Sequence, residues 1–146
     1  MRRSISSTKN GFVSAVFGPP TWMLMHMVSL NYPMTPTLKE RESYTNWFLL
    51  IGEVLPCMAC RTNFKQNLID INFNPDIDMI NRTTFSRCVW RLHNVVNKML
   101  KKKIFIEFSD FIEFYEKLRA GDCIENTTYV EGSCVSNSLL KPKTVI

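Results

Sequence analysis

The chain has 146 residues, of which 45% are hydrophobic and 21% charged, so it suits one folded domain and is not an intrinsically disordered protein. Its 5 glycines, against 10 phenylalanines and 8 methionines, favour helices over a turn-rich β-protein. Much of the net charge of +5 lies in Arg2, Arg3 and the three lysines 101–103. A lysine run of this kind fits a helix C-terminus or a bound phosphate as well as a nucleic acid. We therefore do not predict a nucleic-acid partner.

The beginning of the chain, MRRSISSTKNGF, is basic and then polar. No apolar stretch follows, so we predict no secretory signal and treat residues 1–15 as a flexible lead. No uninterrupted apolar run is long enough to span a membrane. A cytoplasmic chain keeps its cysteines reduced, and a CxxC in such a chain indicates catalysis or metal binding.

Residue spacing predicts an all-α fold. Apolar residues three and four apart indicate helices, and prolines or polar stretches separate them. The short loops imply antiparallel neighbours, hence a four-helix bundle with a fifth short helix in a domain of residues 16–119, followed by a polar tail of 120–146. The predicted helices cover residues 19–31, 38–55, 57–69, 84 to about 99 and 109–118.

The stretch PCMAC, residues 56–60, holds the first candidates for chemistry. Cys57 and Cys60 fall in the first turn of the predicted third helix, where backbone N–H groups and the helix dipole stabilise a thiolate. Both sulfurs can lie on one side of that turn and form a disulfide reversibly. The pair can also be half of a zinc site or two packed thiols, and its spacing alone leaves these alternatives open.

A metal site or a thioredoxin-like site is poorly supported by the rest of the sequence. Zinc needs two more ligands, and there is no second CxxC and no HxxxH. Cys88 and His93 have an unusual ligand spacing for a helix, and Cys123 and Cys134 lie in the tail. A thioredoxin-like site needs strands around the cysteines, whereas the surroundings here are helical.

Two further groups could hold a flat ligand. In RLHNVVNKMLKKK, His93 and Asn97 share a helix face, Asn94 and Lys98 form the next row, and Lys102 follows one turn later. Amides suit base edges or ribose hydroxyls and lysines suit pyrophosphate, although a solvated helix flank shows the same pattern.

The other group lies in GPPTWMLMHMVSLNYP. Trp22 and His26 are four residues apart and Tyr32 follows the helix, so an indole, an imidazole and a phenol could stack on a flat ring system. Taken alone, each of the three is more often a core residue.

In this order, GPPTW-x3-H-x5-YP, PCxxC and HNxxN followed by lysines resemble the Erv/ALR family of FAD-dependent sulfhydryl oxidases. The resemblance covers about residues 18–118, and the ending HNVVNKMLKKKIF looks closest to members carried by large cytoplasmic DNA viruses. It implies FAD bound within a four-helix bundle with a fifth short helix, usually in a homodimer.

The resemblance also implies residue roles. Cys60 would be the cysteine nearest the flavin, and Cys57 would be the interchange thiol that meets incoming electrons. The residues implied to contact the cofactor are Gly18, Trp22, His26, Tyr32, Cys60, His93, Asn94, Asn97, Lys98 and Lys102.

The implied reaction turns a protein dithiol into a disulfide. A mixed disulfide forms at the Cys57–Cys60 pair, the electrons reach FAD, and O2 is reduced to H2O2. The implied substrates are protein dithiols such as thioredoxin-like or viral structural proteins. A viral enzyme of this kind would work in the host cytoplasm or the virion.

This chain departs from the family pattern at several positions. Cellular members usually have a cysteine where this chain has Trp90, and the segment KKKIFIEF contains no partner cysteine, so we expect the family's structural disulfide to be absent and Cys88 to be a buried thiol. The glycine and proline of the family's LGKP are Lys101 and Lys103 here.

The tail cysteines leave two interpretations. Cys123 and Cys134 could shuttle electrons from the substrate to Cys57, which we favour because a mobile segment can reach both, or they could bridge each other. The competing hypothesis for the whole chain is a non-catalytic helical binding module whose PCMAC turn is stapled by zinc or by a disulfide.

Overall fold

The structure is a computed structural model that describes residues 11–105 and 107–119 and the backbone of two further strands. The chain forms two compact units, residues 1–106 and 107–146. Their boundary falls inside the predicted domain of residues 16–119, whose limits stay a prediction. The elements in chain order are α1 (Ser14–Leu30), α2 (Leu38–Val54), α3 (Met58–Asp70), α4 (Pro75–Asp78), α5 (Arg82–Met99), α6 (Phe108–Glu116), β1 (Thr127–Val130) and β2 (Ser133–Ser136).

Side-chain caps explain where two of the long helices begin. At α2, the Thr37 hydroxyl accepts the N–H of Glu40, and the Glu40 carboxylate accepts the N–H of Thr37. At α5, Asn81 and Thr84 exchange the same pair of bonds. The sequence placed the start of this helix at Thr84, whose hydroxyl could cap it, and this prediction is wrong: Asn81 is the cap, and the helix begins at Arg82.

The predicted start of the first helix at residue 19, with Pro19 and Pro20 at its entry, is also wrong. Helix α1 begins at Ser14, and both prolines lie inside it. An interior proline removes the bond to the carbonyl four residues earlier. The residues whose carbonyls lose that bond, Ala15 and Val16, are exposed, so water can satisfy them.

Three elements, one helix and two strands, were not expected from the sequence. Helix α4 occupies the stretch that we took as a loop, with the Asn74 side chain accepting the N–H of Asp76 and Pro75 in the first helical position. In the second unit, β1 and β2 pair antiparallel and place Tyr129 opposite Cys134. The fifth predicted helix corresponds to α6.

The apolar core of the first unit lies among α1, α2, α3 and α5, with α1 packed along α5 and α2 along α3. The predicted fold class, an all-α bundle, is confirmed in these helices. Gly52 on α2 lets the Phe64 ring approach so closely that an added Cβ would overlap it. The buried core side chains are Met25, Tyr32, Phe48, Phe64, Ile71, Met79, Phe85, Cys88, Val89 and Leu92.

Candidate active site

The two cysteines of PCMAC form a disulfide at the start of α3. Cys57 is the N-cap residue, and its sulfur accepts the backbone N–H of Cys60 at 3.1 Å. Both residues are partly buried, and their Cα atoms are 5.1 Å apart. After reduction, the N–H groups and the dipole of the first turn favour the thiolate at this position.

The turn before the disulfide is held by its own hydrogen bonds. The carbonyl oxygen of Leu55 accepts the N–H of Cys57 at 2.7 Å and a guanidinium N–H of Arg61 at 2.6 Å. Arg61 therefore brings a positive charge to the turn that carries the cysteines, where a cation favours a thiolate. Sequence motifs did not single out Arg61, although its position directly after the CxxC was a usable signal.

Three of the predicted cofactor-contacting residues meet between α1 and α5. The indole of Trp22 stacks on the imidazole of His93, with centroids 4.1 Å apart and planes 8° from parallel. His26 Nε2 lies 2.8 Å from His93 Nδ1, so one imidazole donates and the other accepts. The resemblance implied that all three contact one cofactor; here they pack directly against one another, and their contact with a cofactor stays a prediction.

Both imidazoles are held neutral. Burial, followed by the neighbouring His93, lowers the pKa of His26 to about 3. Burial, followed by the charge of Lys102, lowers the pKa of His93 to about 4. A neutral pair can share one N–H, whereas two protonated rings would repel each other.

Asn94 holds the segment that follows α5. Its side-chain N–H donates to the carbonyl of Phe105 and its side-chain oxygen accepts the N–H of Phe105, both at 2.8 Å. The Phe105 ring then meets the His93 ring edge-on, with centroids 5.3 Å apart. Asn94 was predicted to contact the cofactor; here it acts on the backbone of Phe105, a residue that the motifs did not identify.

The remaining residues of the second motif lie at the end of α5. Asn97 is buried, and its carbonyl accepts the N–H of Lys102 at 2.8 Å, while Lys101 takes a φ of 55° that favours glycine. A glycine would adopt this left-handed φ without strain, and Lys101 stands where the resemblance aligned the glycine of LGKP. Lys98 and Lys102 are exposed.

Tyr32 and Gly18, the other two residues of the first motif, are not part of the stack formed by Trp22, His26 and His93. Tyr32 is fully buried, donates its hydroxyl to the carbonyl of Met79 at 2.9 Å and packs on Tyr44 and Phe85. Gly18 lies in α1, and a Cβ added there would meet no described atom within 4 Å. Their predicted cofactor contacts are not evident in this packing and stay predictions.

The other cysteines are separate from the disulfide. Cys88 is a free, fully buried thiol, as expected, and burial, followed by the charge of Asp78, raises its pKa to about 12. Cys123 lies outside the described residues, and Cys134 is described only as part of the β2 backbone. Within the described part of the chain, no three His, Cys, Asp or Glu side chains could share a metal ion. Nor does a helix there have the length and apolarity needed to cross a bilayer.

The described helices thus combine a disulfide that caps one helix with an indole and two neutral imidazoles packed between two others, as in a helical thiol–disulfide protein. The sequence profile described as the Erv1 / Alr family matches residues 19–117. The chain therefore belongs to the Erv1/Alr family.

Relatives come from cellular organisms and from viruses. The FAD-linked sulfhydryl oxidase ERV1 of Oryza sativa subsp. japonica is 34% identical over 88 residues, which cover 60% of this chain and 43% of the rice protein. The FAD-linked sulfhydryl oxidase of African swine fever virus (isolate Tick/Malawi/Lil 20-1/1983) is 34% identical over 101 residues, which cover 69% of this chain and 81% of the viral protein. The match thus spans less than half of the rice protein and most of the viral one.

A solved structure agrees with the fold. The crystal structure of the FAD binding domain of Erv1 from Saccharomyces cerevisiae aligns with a TM-score of 0.60 at 24% identity. The alignment covers 73% of this chain and 92% of that chain. At this identity the likeness supports the bundle architecture.

The described residues fit a flavin dinucleotide. Trp22, His26 and His93 offer aromatic rings without charge, as a large flat ring system requires. Lys102 is close enough to lower the pKa of His93, so a cation that can pair with a phosphate stands near these rings.

Proposed function

We propose that this chain is an FAD-linked sulfhydryl oxidase that makes disulfides in protein substrates. The observation that carries the proposal is the Cys57–Cys60 disulfide at the N-terminus of α3, in a chain of the Erv1/Alr family. The rice and African swine fever virus relatives bear the same activity in their names. The stacked rings of α1 and α5 supply the cofactor site.

The cysteines carry out two exchange steps. A substrate thiolate attacks Sγ of Cys57, the bond to Cys60 breaks, and Cys60 leaves as a thiolate. A second substrate thiolate then attacks the substrate sulfur of the mixed disulfide and releases Cys57 as a thiolate. Two electrons pass from the substrate to the cysteine pair, and the two thiol protons go to solvent. Both thiolates sit in the first turn of α3, which lowers their free energy.

The chemistry that FAD supplies when bound is acceptance of this electron pair and its transfer to O2, which yields H2O2. Cys60 is assigned to pass the electrons on, and Cys57 to meet the substrate. Trp22, His26 and His93 would hold the ring systems, and exclusion of water from these buried rings keeps both imidazoles neutral.

The proposal includes the setting of the reaction. The substrates are protein dithiols, the acceptor is O2, and the enzyme works as a homodimer. The viral relative supports action in the host cytoplasm or the virion, where disulfides must be made without the cell's secretory machinery.

Purified protein tests the proposal directly. We expect yellow protein that releases FAD on denaturation and consumes O2 when dithiothreitol is added. Cys60→Ser should keep the colour and lose at least ~99% of the uptake, since the exchange cannot proceed without the second sulfur. Cys88→Ala removes a buried thiol outside the pair and should retain the uptake.

Two results would contradict the proposal. A colourless, folded protein that consumes no O2 would favour a non-catalytic module with a stapled turn. Unchanged turnover in Cys60→Ser would refute the role of Cys60.

A further inference from the structure

Residues 11–12, here called the strap, lie against the turn that carries the redox disulfide. The N–H of Phe12 donates to the carbonyl oxygen of Pro56 at 2.6 Å. Gly11 has a φ of 74°, in the left-handed region that favours glycine. The strap therefore makes a backbone contact with a residue far along the chain, immediately before Cys57.

The contact is too close for any side chain on the strap's first residue. A Cβ added at Gly11 would overlap the carbonyl group of Pro56 and lie 3.1 Å from Cα of Cys57. Both the space and the φ thus require glycine at this position. The side chain of Phe12, in contrast, is 76% exposed, so the strap acts through its backbone.

The strap completes the set of bonds that fixes the turn before α3. Leu55 offers its carbonyl to Cys57 and Arg61, and Pro56 offers its carbonyl to the strap. These bonds set the direction in which the chain enters α3. Cys57 follows this turn directly, and its sulfur caps α3 by accepting the N–H of Cys60.

We propose that Gly11 and the Phe12 N–H are positioning residues for thiol–disulfide exchange: the strap holds Pro56 so that Cys57 keeps its place at the N-terminus of α3 through both exchange steps. The proposal rests on the proposed function, in which Cys57 is attacked in the first step and leaves as a thiolate in the second. A turn released from the strap lets the sulfur swing away from the helix N–H groups, which weakens Cys57 as a leaving group and as a nucleophile.

The test measures the Cys57 thiol itself. Full-length holoenzyme is reduced anaerobically and given a short pulse of iodoacetamide at pH 7, with glutathione as an internal reference, and alkylation at Cys57 is quantified by peptide mass spectrometry. Gly11→Ala should slow alkylation at Cys57 about fivefold or more, because the thiolate loses its helix contacts. Phe12→Pro, which lacks the N–H but adds no Cβ at residue 11, should show the same effect if Gly11→Ala does not fold.

Two control variants separate positioning from general damage. Phe12→Ala keeps the backbone N–H and should match the parent. Asn72→Ala places alanine at a φ of 52°, a similar left-handed strain far along the chain from the strap, and should lower stability without changing alkylation at Cys57.

Several outcomes would overturn the positioning role. One is a folded Gly11→Ala or Phe12→Pro protein in which Cys57 is alkylated as fast as in the parent. The others are a Phe12→Ala or an Asn72→Ala protein in which alkylation at Cys57 slows as much as in Gly11→Ala. Alkylation does not depend on O2 uptake, so a parent that consumes no O2 refutes the proposed function while the strap is still tested.

Discussion

His26 is a buried base that the fold keeps unprotonated. It is fully buried, it lies within hydrogen-bond distance of His93, and its pKa is lowered to about 3. The unfolded chain protonates a histidine below about pH 6.5, so between these values the unfolded state binds more protons than the folded one. The stability that the neutral ring contributes is therefore complete above pH 6.5 and is lost as the pH falls towards 3.

We accordingly expect the urea midpoint of the holoenzyme to fall between pH 7 and pH 4.5. The slope from His26 is at most about 1.4 kcal/mol per pH unit, and His93 adds to it in the same direction. His26→Gln should be less stable than the parent at pH 7 but lose less stability on acidification. Equal losses in parent and variant, measured by urea unfolding at both pH values, would contradict this assignment.

Residues with a regular spacing in sequence could be predicted, and residues that act through backbone contacts could not. Trp22 and His26 share a helix face, and His93 begins a motif that resembles a known family, so all three could be picked out from the sequence as candidates for one site. Phe12 and Phe105 contact Pro56 and Asn94 through their own backbone atoms, and such contacts leave no side-chain pattern in the sequence.

At the scale of elements, the Asn94 amide joins α5 to the segment after it. Asn94→Ala removes two hydrogen bonds to the Phe105 backbone, each worth about 1 kcal/mol, so we expect a loss of about 2 kcal/mol in the free energy of unfolding. It should also weaken flavin retention, because Phe105 would no longer be held against His93.

A graded variant checks this assignment. Asn94→Asp keeps the acceptor for the Phe105 N–H and loses the donor, so its loss should be intermediate. Urea unfolding and flavin retention on gel filtration measure both effects. An Asn94→Ala protein as stable as the parent would contradict the role of Asn94 in holding the Phe105 backbone.

The spacing of apolar residues was enough to predict that the long helices exist. The residues at which they begin and end depend on caps and tertiary contacts, which the spacing does not reveal. The start of α1 was misplaced because proline is common in a first helical turn, yet here residues 14–18 form helix before the two prolines. Helix α4 was missed because four residues are too few for a period. Its Asp78 is fixed by Arg91 on α5 at 2.6 Å, a contact between distant residues.

At the scale of the whole molecule, the proposed reaction requires that electrons travel from a protein dithiol to Cys57. A folded substrate cannot bring its thiols to a partly buried disulfide as freely as dithiothreitol can. A second thiol pair on the same chain would raise the local concentration of attacking thiol, as tethered reactants do. The family profile matches residues 19–117, so Cys123 and Cys134 lie outside the matched part of the chain.

We expect Cys123→Ser and Cys134→Ser each to leave dithiothreitol-driven O2 uptake unchanged and to slow oxidation of a reduced protein dithiol such as thioredoxin about tenfold. Cys88→Ala, which removes a cysteine from the core of the first unit, should slow neither reaction. A structural bridge predicts a different result: both tail variants would unfold at lower urea concentration, and the ratio of the two rates would stay that of the parent. The ratio of rates with the two substrates, rather than either rate alone, therefore decides between a shuttle and a bridge, because a change in flavin content alters both rates together.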